Sequence, residues 1–543
     1  MENIKPTFLK RILSNHFKLF YMLSGILALA WFLIRVIPKP SRASYPCQRA
    51  AFPIASSFVI WLTGTIISIF SFNKAKYYKS RLRYVSALLC LIVFAISAVF
   101  TYNINNPKAV YSYAPLAVND PIGTARGINP GRVVWAYDPD VIDWAGPGSG
   151  QYWWDHIDQD VADAMMSKSL KTLSGQPNES SAWNNIFVNF NESKGNGTVG
   201  YQAGEKIMIK LNLVAFHRGA NVDSSGNITG GYDRPSNSPQ MVLALLDQLV
   251  NVVGVDPTDI TIGDTICDFP NIYYTPIQAQ FPGVVCLTFD PTTGRVLPTR
   301  STSAFIHWSS GDELSEGVPT CFENADYVIN FAVLKGHRSA GITACAKNHF
   351  GSFLRTPGDF SDWWGDDVYL DMHPILPQYV SGMGHYRPFV DLMGSNQYDG
   401  KCVLFLIDAI MASNTEVANA VKMQMPPFND DWPSSLFMSQ DPVAIDSVAY
   451  DFLYEEFDGT GDNGTPHMSG AEDYLHEAAE AGDPLSGTIY DPDNNGDGLS
   501  SLGAHEHWNN AIDKQYTRNI GSGDGIELVI AKDFTSVDTW NKY

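Results

Sequence analysis

Asp326–Gly351 reads DYVINFAVLKGHRSAGITACAKNHFG. Its first part, Asp326–Leu334, is a nearly unbroken apolar run of strand length, the pattern of a strand covered on both faces. The polarity then reverses: Lys335, His337, Arg338, Lys347 and His349 follow in close succession, in a chain whose formal charge is −21. Arg132–Tyr137 (RVVWAY), Lys206–Val214 (KIMIKLNLV), Asp259–Gly263 (DITIG) and Lys401–Ile407 (KCVLFLI) have the same apolar character. Helical patterns lie between them over Trp153–Leu173, Ser238–Val253 and Asp441–Glu456. Pro239 falls in a first turn, where proline is tolerated, and Asp441 is placed to cap a helix with Pro442 at its first position. Unbroken apolar strands alternating with helices predict an α/β fold with a mainly parallel sheet.

Ligands of such sheets sit beyond the C-terminal strand ends. That rule selects Lys210 and Asn212 after one strand, Asp264 after a second, Lys335 and His337 after a third and Asp408 after a fourth, all expected to converge on one crevice. Lysines and backbone N–H groups near Gly336 and Gly341 suit a phosphate, carboxylate or other anion. His337 is the candidate acid, base or metal ligand, with Lys335 and Lys347 beside it as candidate catalytic groups. Lys210, Asn212, Asp264 and Asp408 are the candidate cofactor-binding groups. The structural alternative is that Lys347 caps a helix end and His337 is a satisfied polar group of the core.

The same segment resembles domain-of-unknown-function family 362, whose motif runs as a hydrophobic strand, K-x-H, a short gap and K-N-x-x-G. Lys335-Gly336-His337 and Lys347-Asn348-His349-Phe350-Gly351 match it. Gly204-Glu205-Lys206 through Lys210-Leu211-Asn212 looks like the family's strand ending in K-x-N, Ile262-Gly263-Asp264 like its G-D strand end, and Asp441-Pro442-Val443-Ala444-Ile445-Asp446 like its D-P-V-A-x-D helix start. The resemblance covers roughly residues 130–510 and adds Asn348 to the binding residues. It implies a fold and a shared constellation but no reaction, because the family has none assigned. Many relatives carry ferredoxin-type cysteine clusters, which this chain lacks. The K-x-H…K arrangement also distantly resembles that of lactate racemases with a nickel-pincer nucleotide.

Ahead of this domain the chain changes character. Leu19–Ile37, Ile54–Phe72 and Tyr84–Tyr102 are each long enough and apolar enough to cross a bilayer as helices. Residues 1–105 hold thirteen of the 36 basic residues but one of the 57 acidic ones, leaving 23 against 56 for the remainder. Lys5, Lys10, Arg11 and Lys18 before the first span, and Lys74, Lys76, Lys79, Arg81 and Arg83 before the third, place those segments in the cytoplasm by the positive-inside rule. The expectation is a three-helix anchor over 1–102 in the cell inner membrane, a Pro/Gly-rich linker over 103–130, and a periplasmic domain over 131–543. Its partners would be the lipid bilayer, a small anionic ligand and membrane-complex subunits. Nucleic acid is excluded, because so acidic a domain repels phosphates.

Smaller clusters remain. Asp491–Gly498 (DPDNNGDG) alternates oxygen side chains with glycine, so Asp491, Asp493, Asn495 and Asp497 are candidate ligands for a divalent metal, calcium first; the EF-hand acid at position twelve is missing, and an Asx-rich turn is the alternative. His505 and His507 have a spacing that suits metal ligation from an extended segment, with no third ligand identified. Met372-His373-Pro374, His385-Tyr386-Arg387 with Asp391, Trp363-Trp364 and Asp366-Asp367 would line a cleft or simply pack. Of the seven cysteines, Cys47 and Cys90 precede the domain, and Cys267 with Cys286 is one conceivable disulfide. There is no C-x-x-C, so haem attachment, a zinc ribbon and an iron–sulfur cluster lack support. G-x-S-x-G, the P-loop and a post-strand G-x-G-x-x-G are absent as well. Two functions stand: a membrane-anchored domain that binds an anionic ligand, cofactor or metal, and a non-catalytic accessory subunit of a membrane complex.

Overall fold

The structure is a computed structural model and describes residues 116–216, 221–310, 315–354, 380–457 and 470–531, with positions 70, 71, 73, 74, 77, 78, 88 and 89. The chain divides into two compact units, Met1–Val110 and Tyr111–Tyr543. Of the expected spans only Phe70, Ser71, Leu88 and Leu89 are described, all helical; the rest of 19–37, 54–72 and 84–102 lies outside the described residues. Among the described residues no helix is long and apolar enough to cross a membrane.

The second unit is built on one sheet with strands β1 (Arg132–Tyr137), β2 (Ile207–Lys210), β3 (Ile260–Gly263), β4 (Val285–Cys286), β5 (Tyr327–His337), β6 (Gly341–Thr343), β7 (Cys402–Ser413), β8 (Ser435–Ser439) and β9 (Glu527–Ile530). Their order is β9-β1-β8-β7-β5-β2-β3-β4, with β6 beside β5. All neighbours are parallel except β8 between β1 and β7, and β6 against β5. The expected mainly parallel sheet is therefore present, with a central antiparallel strand added.

Every residue of β5 and β7 is buried. Alternate side chains of β5 feed two separate cores, Val328 and Ala332 on one face, Ile329 and Phe331 on the other. The second face is covered by α1 (Gln159–Ser174), α2 (Glu179–Ser193), α3 (Pro239–Asp247) and α4 (Asn271–Gln280). The first face is covered by α5 (Cys345–Asn348), α6 (Pro388–Gly394), α7 (Pro442–Glu456) and α8 (Ala471–Ala479).

Local chemistry sets the helix ends. Asp158 accepts from Val161 N, so α1 starts there, and Trp153–Asp155 forms a separate 3-10 turn. The helix expected to run to Val253 is α-helical only to Asp247 and finishes as a π turn, Gln248–Val253. Asp441 caps α7 by accepting from Val443 N and Ala444 N. The stretch read as a linker is part of the domain in its latter half: Ile122–Gly123 pairs antiparallel with Ala504–His505, and Arg126 N donates to Asp441 Oδ2 at 2.8 Å.

Candidate functional site

The C-terminal ends of β2 and β3 lie beside the middle of β5. Lys210 is in register with Gly263 of β3 and Asn330 of β5, and Asp264 follows at once. From Asn330, β5 runs on past its neighbour to His337, turns through 338–340 and returns as β6, with Lys335 opposite Thr343. That return carries α5, and with it Asn348, back over the ends of β2 and β3.

Six of the selected or matched positions converge there. Lys210 Nζ lies 3.0 Å from Asp264 Oδ2 and 3.2 Å from Asn348 Oδ1, and also donates to Leu211 O. Asn348 Oδ1 accepts from Asn212 Nδ2 at 3.2 Å, and Asn348 Nδ2 donates to Asn330 Oδ1 at 2.9 Å. Lys335 Nζ donates to Asn212 Oδ1 at 2.9 Å and to Pro235 O at 3.4 Å. Gly351 closes the group over the ion pair: a Cβ there would stand 2.6 Å from Asp264 Oδ1 and 2.9 Å from Lys210 Nζ. The glycine of K-N-x-x-G is thus dictated by the lysine of K-x-N and the acid of G-D.

The two lysines differ in environment. Both are fully buried. Lys210 has a carboxylate. Lys335, among the described residues, has only neutral oxygens, and desolvation lowers its ammonium to about 7. A buried lysine with that balance is neutral or charged according to what approaches it.

Other expected residues lie elsewhere or do other work. Asp408 accepts from Ser238 N at 2.6 Å, Ser238 Oγ at 2.7 Å and Ile410 N at 3.1 Å, so its carboxylate is committed to the start of α3 rather than to the lysines. His337 Nδ1 accepts from Ser339 N and Ala340 N at 3.1 and 3.2 Å, which braces the turn between β5 and β6. Lys347 Nζ lies 4.2 Å from the centre of the Phe350 ring. In the 491–497 loop, Asp491 accepts from Asn495 N and Gly496 N, Asn495 Oδ1 from Asp497 N, and Asp493 from Asn396 N and Nδ2. This is the Asx-rich turn, with side-chain oxygens already serving as backbone acceptors.

Arg387 Nε meets Asp473 Oδ2 at 2.5 Å with both side chains fully buried, and Tyr386 donates to Asp391 Oδ2 at 2.7 Å. Trp363, Trp364, Asp366, Asp367 and 372–374 lie outside the described residues. The five described cysteines are free, so Cys267 and Cys286 are not paired, and burial pushes every one of these thiols upward.

Sequence reasoning missed Asn330, whose Nδ2 also donates to Cys345 O at 2.9 Å and Asp399 Oδ1 at 3.1 Å. An asparagine inside an apolar strand was the available signal. It also missed Asp399, 2.6 Å from His349 Nε2 inside the core, and Glu472 and His476, which stand beside His505.

The family described as "Domain of unknown function (DUF362)" has a model that matches residues 292–451, less than a third of the 543 residues. The match takes in K-x-H, K-N-x-x-G and the D-P-V-A-x-D helix start, but begins after the strands that position Lys210 and Asp264. No curated protein and no solved structure matches the chain.

Proposed function

We propose that this chain is a membrane-anchored, extracytoplasmic protein whose lysine–asparagine centre takes a small anionic ligand or cofactor. The observation that carries the reading is Lys335: a fully buried amine that, among the described residues, hydrogen-bonds to the neutral oxygens Asn212 Oδ1 and Pro235 O and to no carboxylate. An anion brought next to that amine favours its charged form and offsets the desolvation of both partners. Asn212 and Asn348 supply further polar groups, and the Lys210–Asp264 pair fixes their positions. His337 and Lys347, on either side of the β5–β6 hairpin, are the candidates for proton transfer. The anchor and its orientation rest on the three apolar spans and the lysine and arginine asymmetry of residues 1–105.

The test is native purification of the full chain in detergent, followed by mass spectrometry of released small molecules, for wild type and Lys335→Met. A stoichiometric anionic compound in the wild type that is missing from a folded Lys335→Met supports the reading. Ligand-free wild type that co-purifies with fixed protein partners supports the accessory-subunit reading, which the internally satisfied Lys210–Asp264 pair favours.

A further inference from the structure

Glu472 and His476 sit one turn apart on α8, so both side chains project from the same face of the helix. Two imidazoles from the segment after the 491–497 loop come to meet them. His476 Nε2 lies 3.2 Å from Glu472 Oε1 and His505 Nε2 lies 3.6 Å from the same oxygen. His507 Nε2 lies 3.1 Å from Glu472 Oε2. Three imidazoles thus surround one fully buried carboxylate, whose Oε1 also accepts from Leu116 N at 2.7 Å. The potential ligand atoms of Glu472, His476 and His505 all lie within 4.8 Å of one another. Ligands about 2.0–2.1 Å from a common tetrahedral ion are spaced about 3.3 Å apart, close to the 3.2 and 3.6 Å between the Glu472 oxygen and the nitrogens of His476 and His505.

The protons point the same way. Ser447 Oγ donates its single hydrogen to Val443 O at 2.7 Å, so at the 2.9 Å contact with His505 Nδ1 the ring nitrogen is the donor. Neutral His505 therefore turns a bare lone pair at Nε2 toward Glu472. That atom is buried and, among the described residues, has no hydrogen-bond partner. A lone pair held against a carboxylate oxygen is an arrangement that a cation between them relieves. His507 is held on its far side in the same way, with Nδ1 2.6 Å from Asp451 Oδ1, while Asp451 Oδ2 accepts from Trp508 N and Tyr516 OH. Oxygen partners that fix the outer nitrogen are what orient metal-bound histidines.

We infer that Glu472, His476 and His505, with His507 alongside, form a site for a divalent transition-metal ion of the zinc class. Nitrogen-rich ligation with one carboxylate favours zinc over calcium or magnesium, which take oxygen ligands. The ion would join α8 to the 504–508 segment and, through Ser447 and Asp451, to α7. The inference is independent of the lysine centre.

The test is elemental analysis of the full chain purified without added metal, then thermal melting of the chelator-stripped protein with and without zinc chloride. About one metal ion per chain, or a zinc-dependent rise in melting temperature that is absent in His476→Ala, supports the site. His476 reaches the surface, so its alanine variant keeps the core; His505→Gln, melted in parallel, reports on the buried ligand. Metal-free protein whose melting is unmoved by zinc overturns the inference and leaves a hydrogen-bonded cluster.

Discussion

Gly351 lies so close to Asp264 that a Cβ on the glycine would stand 2.6 Å from Oδ1 and 2.8 Å from Oδ2. Neither side can yield easily: Asp264 is held by Lys210 and by Ile266 N, and Gly351 O accepts from Thr265 N and Oγ1.

Gly351→Ala is therefore expected to destabilise the protein by about 2–4 kcal/mol, because the added methyl must push a buried ion pair apart. Asp264→Asn in the same background restores little, since Lys210 then loses its counter-charge. Urea unfolding of the purified chain, followed by tryptophan fluorescence, measures both. Wild-type stability in Gly351→Ala would show that the loop moves freely over the ion pair.

Lys335 gives the protein a pH signature. Its native pKa of about 7 lies below the usual 10.5 of an unfolded lysine. Between those values the unfolded chain binds the extra proton, so stability rises with pH there, by at most about 1.4 kcal/mol per pH unit. Below pH 7 both states are protonated and the full cost of the buried charge is present. Lys335→Met lacks this slope, and is expected to be more stable than wild type at pH 6 and to gain nothing from pH 7 to 9. Unfolding titrations at pH 6, 7, 8 and 9 test this; parallel curves for the two proteins would sink it.

The parts of this fold that were legible in the sequence are those written in local pattern. β5 and β7 announce themselves as apolar runs because both of their faces are buried, and Asp441-Pro442 announces α7 because capping depends on neighbouring residues. Lys210, Asn212, Asp264 and Lys335 were found by one topological rule about strand ends. Asp408 was selected by the same rule, but β7 runs on through it to Ser413, so it is a mid-strand residue whose carboxylate receives the N–H and hydroxyl of Ser238 at the start of α3. The cluster around Glu472 was out of reach: His505 and His507 were visible as a pair, but their partners come from a helix about thirty residues earlier, brought to them by the pairing of Ile122–Gly123 with Ala504–His505, the packing of α8 and the contacts with Ser447 and Asp451 of α7. β8 was missed because a short antiparallel strand, SLFMS, has no pattern that separates it from a buried loop.

Arg387 and Asp473 form an ion pair with no exposed side-chain surface. Asp473 also accepts from Gly384 N at 2.6 Å, which ties the segment before α6 to α8. Asp473→Ala leaves a buried guanidinium without its carboxylate and is expected to cost about 3–5 kcal/mol, whereas the double replacement Arg387→Met/Asp473→Leu is expected to recover most of that loss. Thermal melting of the two variants distinguishes the cases; equal destabilisation in both would mean that packing rather than uncompensated charge sets the cost.

Asp446 connects α7 to the lysine centre and carries the opposite pH dependence. Its Oδ1 accepts from Cys345 N at 2.7 Å and its Oδ2 from Ala346 N at 3.0 Å and Tyr474 OH at 3.1 Å, so it holds the start of the short helix that delivers Asn348. Burial raises this carboxyl to about 7 while the donated hydrogen bonds pull it down. Since the folded protein then keeps a proton that the unfolded chain releases near the usual aspartate value of 3.8, stability is expected to fall as pH rises from that value to 7. Asp446→Asn is expected to flatten this part of the curve while keeping an acceptor for one backbone N–H. Asp446→Ala leaves both N–H groups unpaired, costs about 2–4 kcal/mol, and loosens Asn348 from Lys210. Unfolding curves at pH 4, 5, 6 and 7 separate the two substitutions, and an Asn variant that retains the wild-type slope would place the titration at another group.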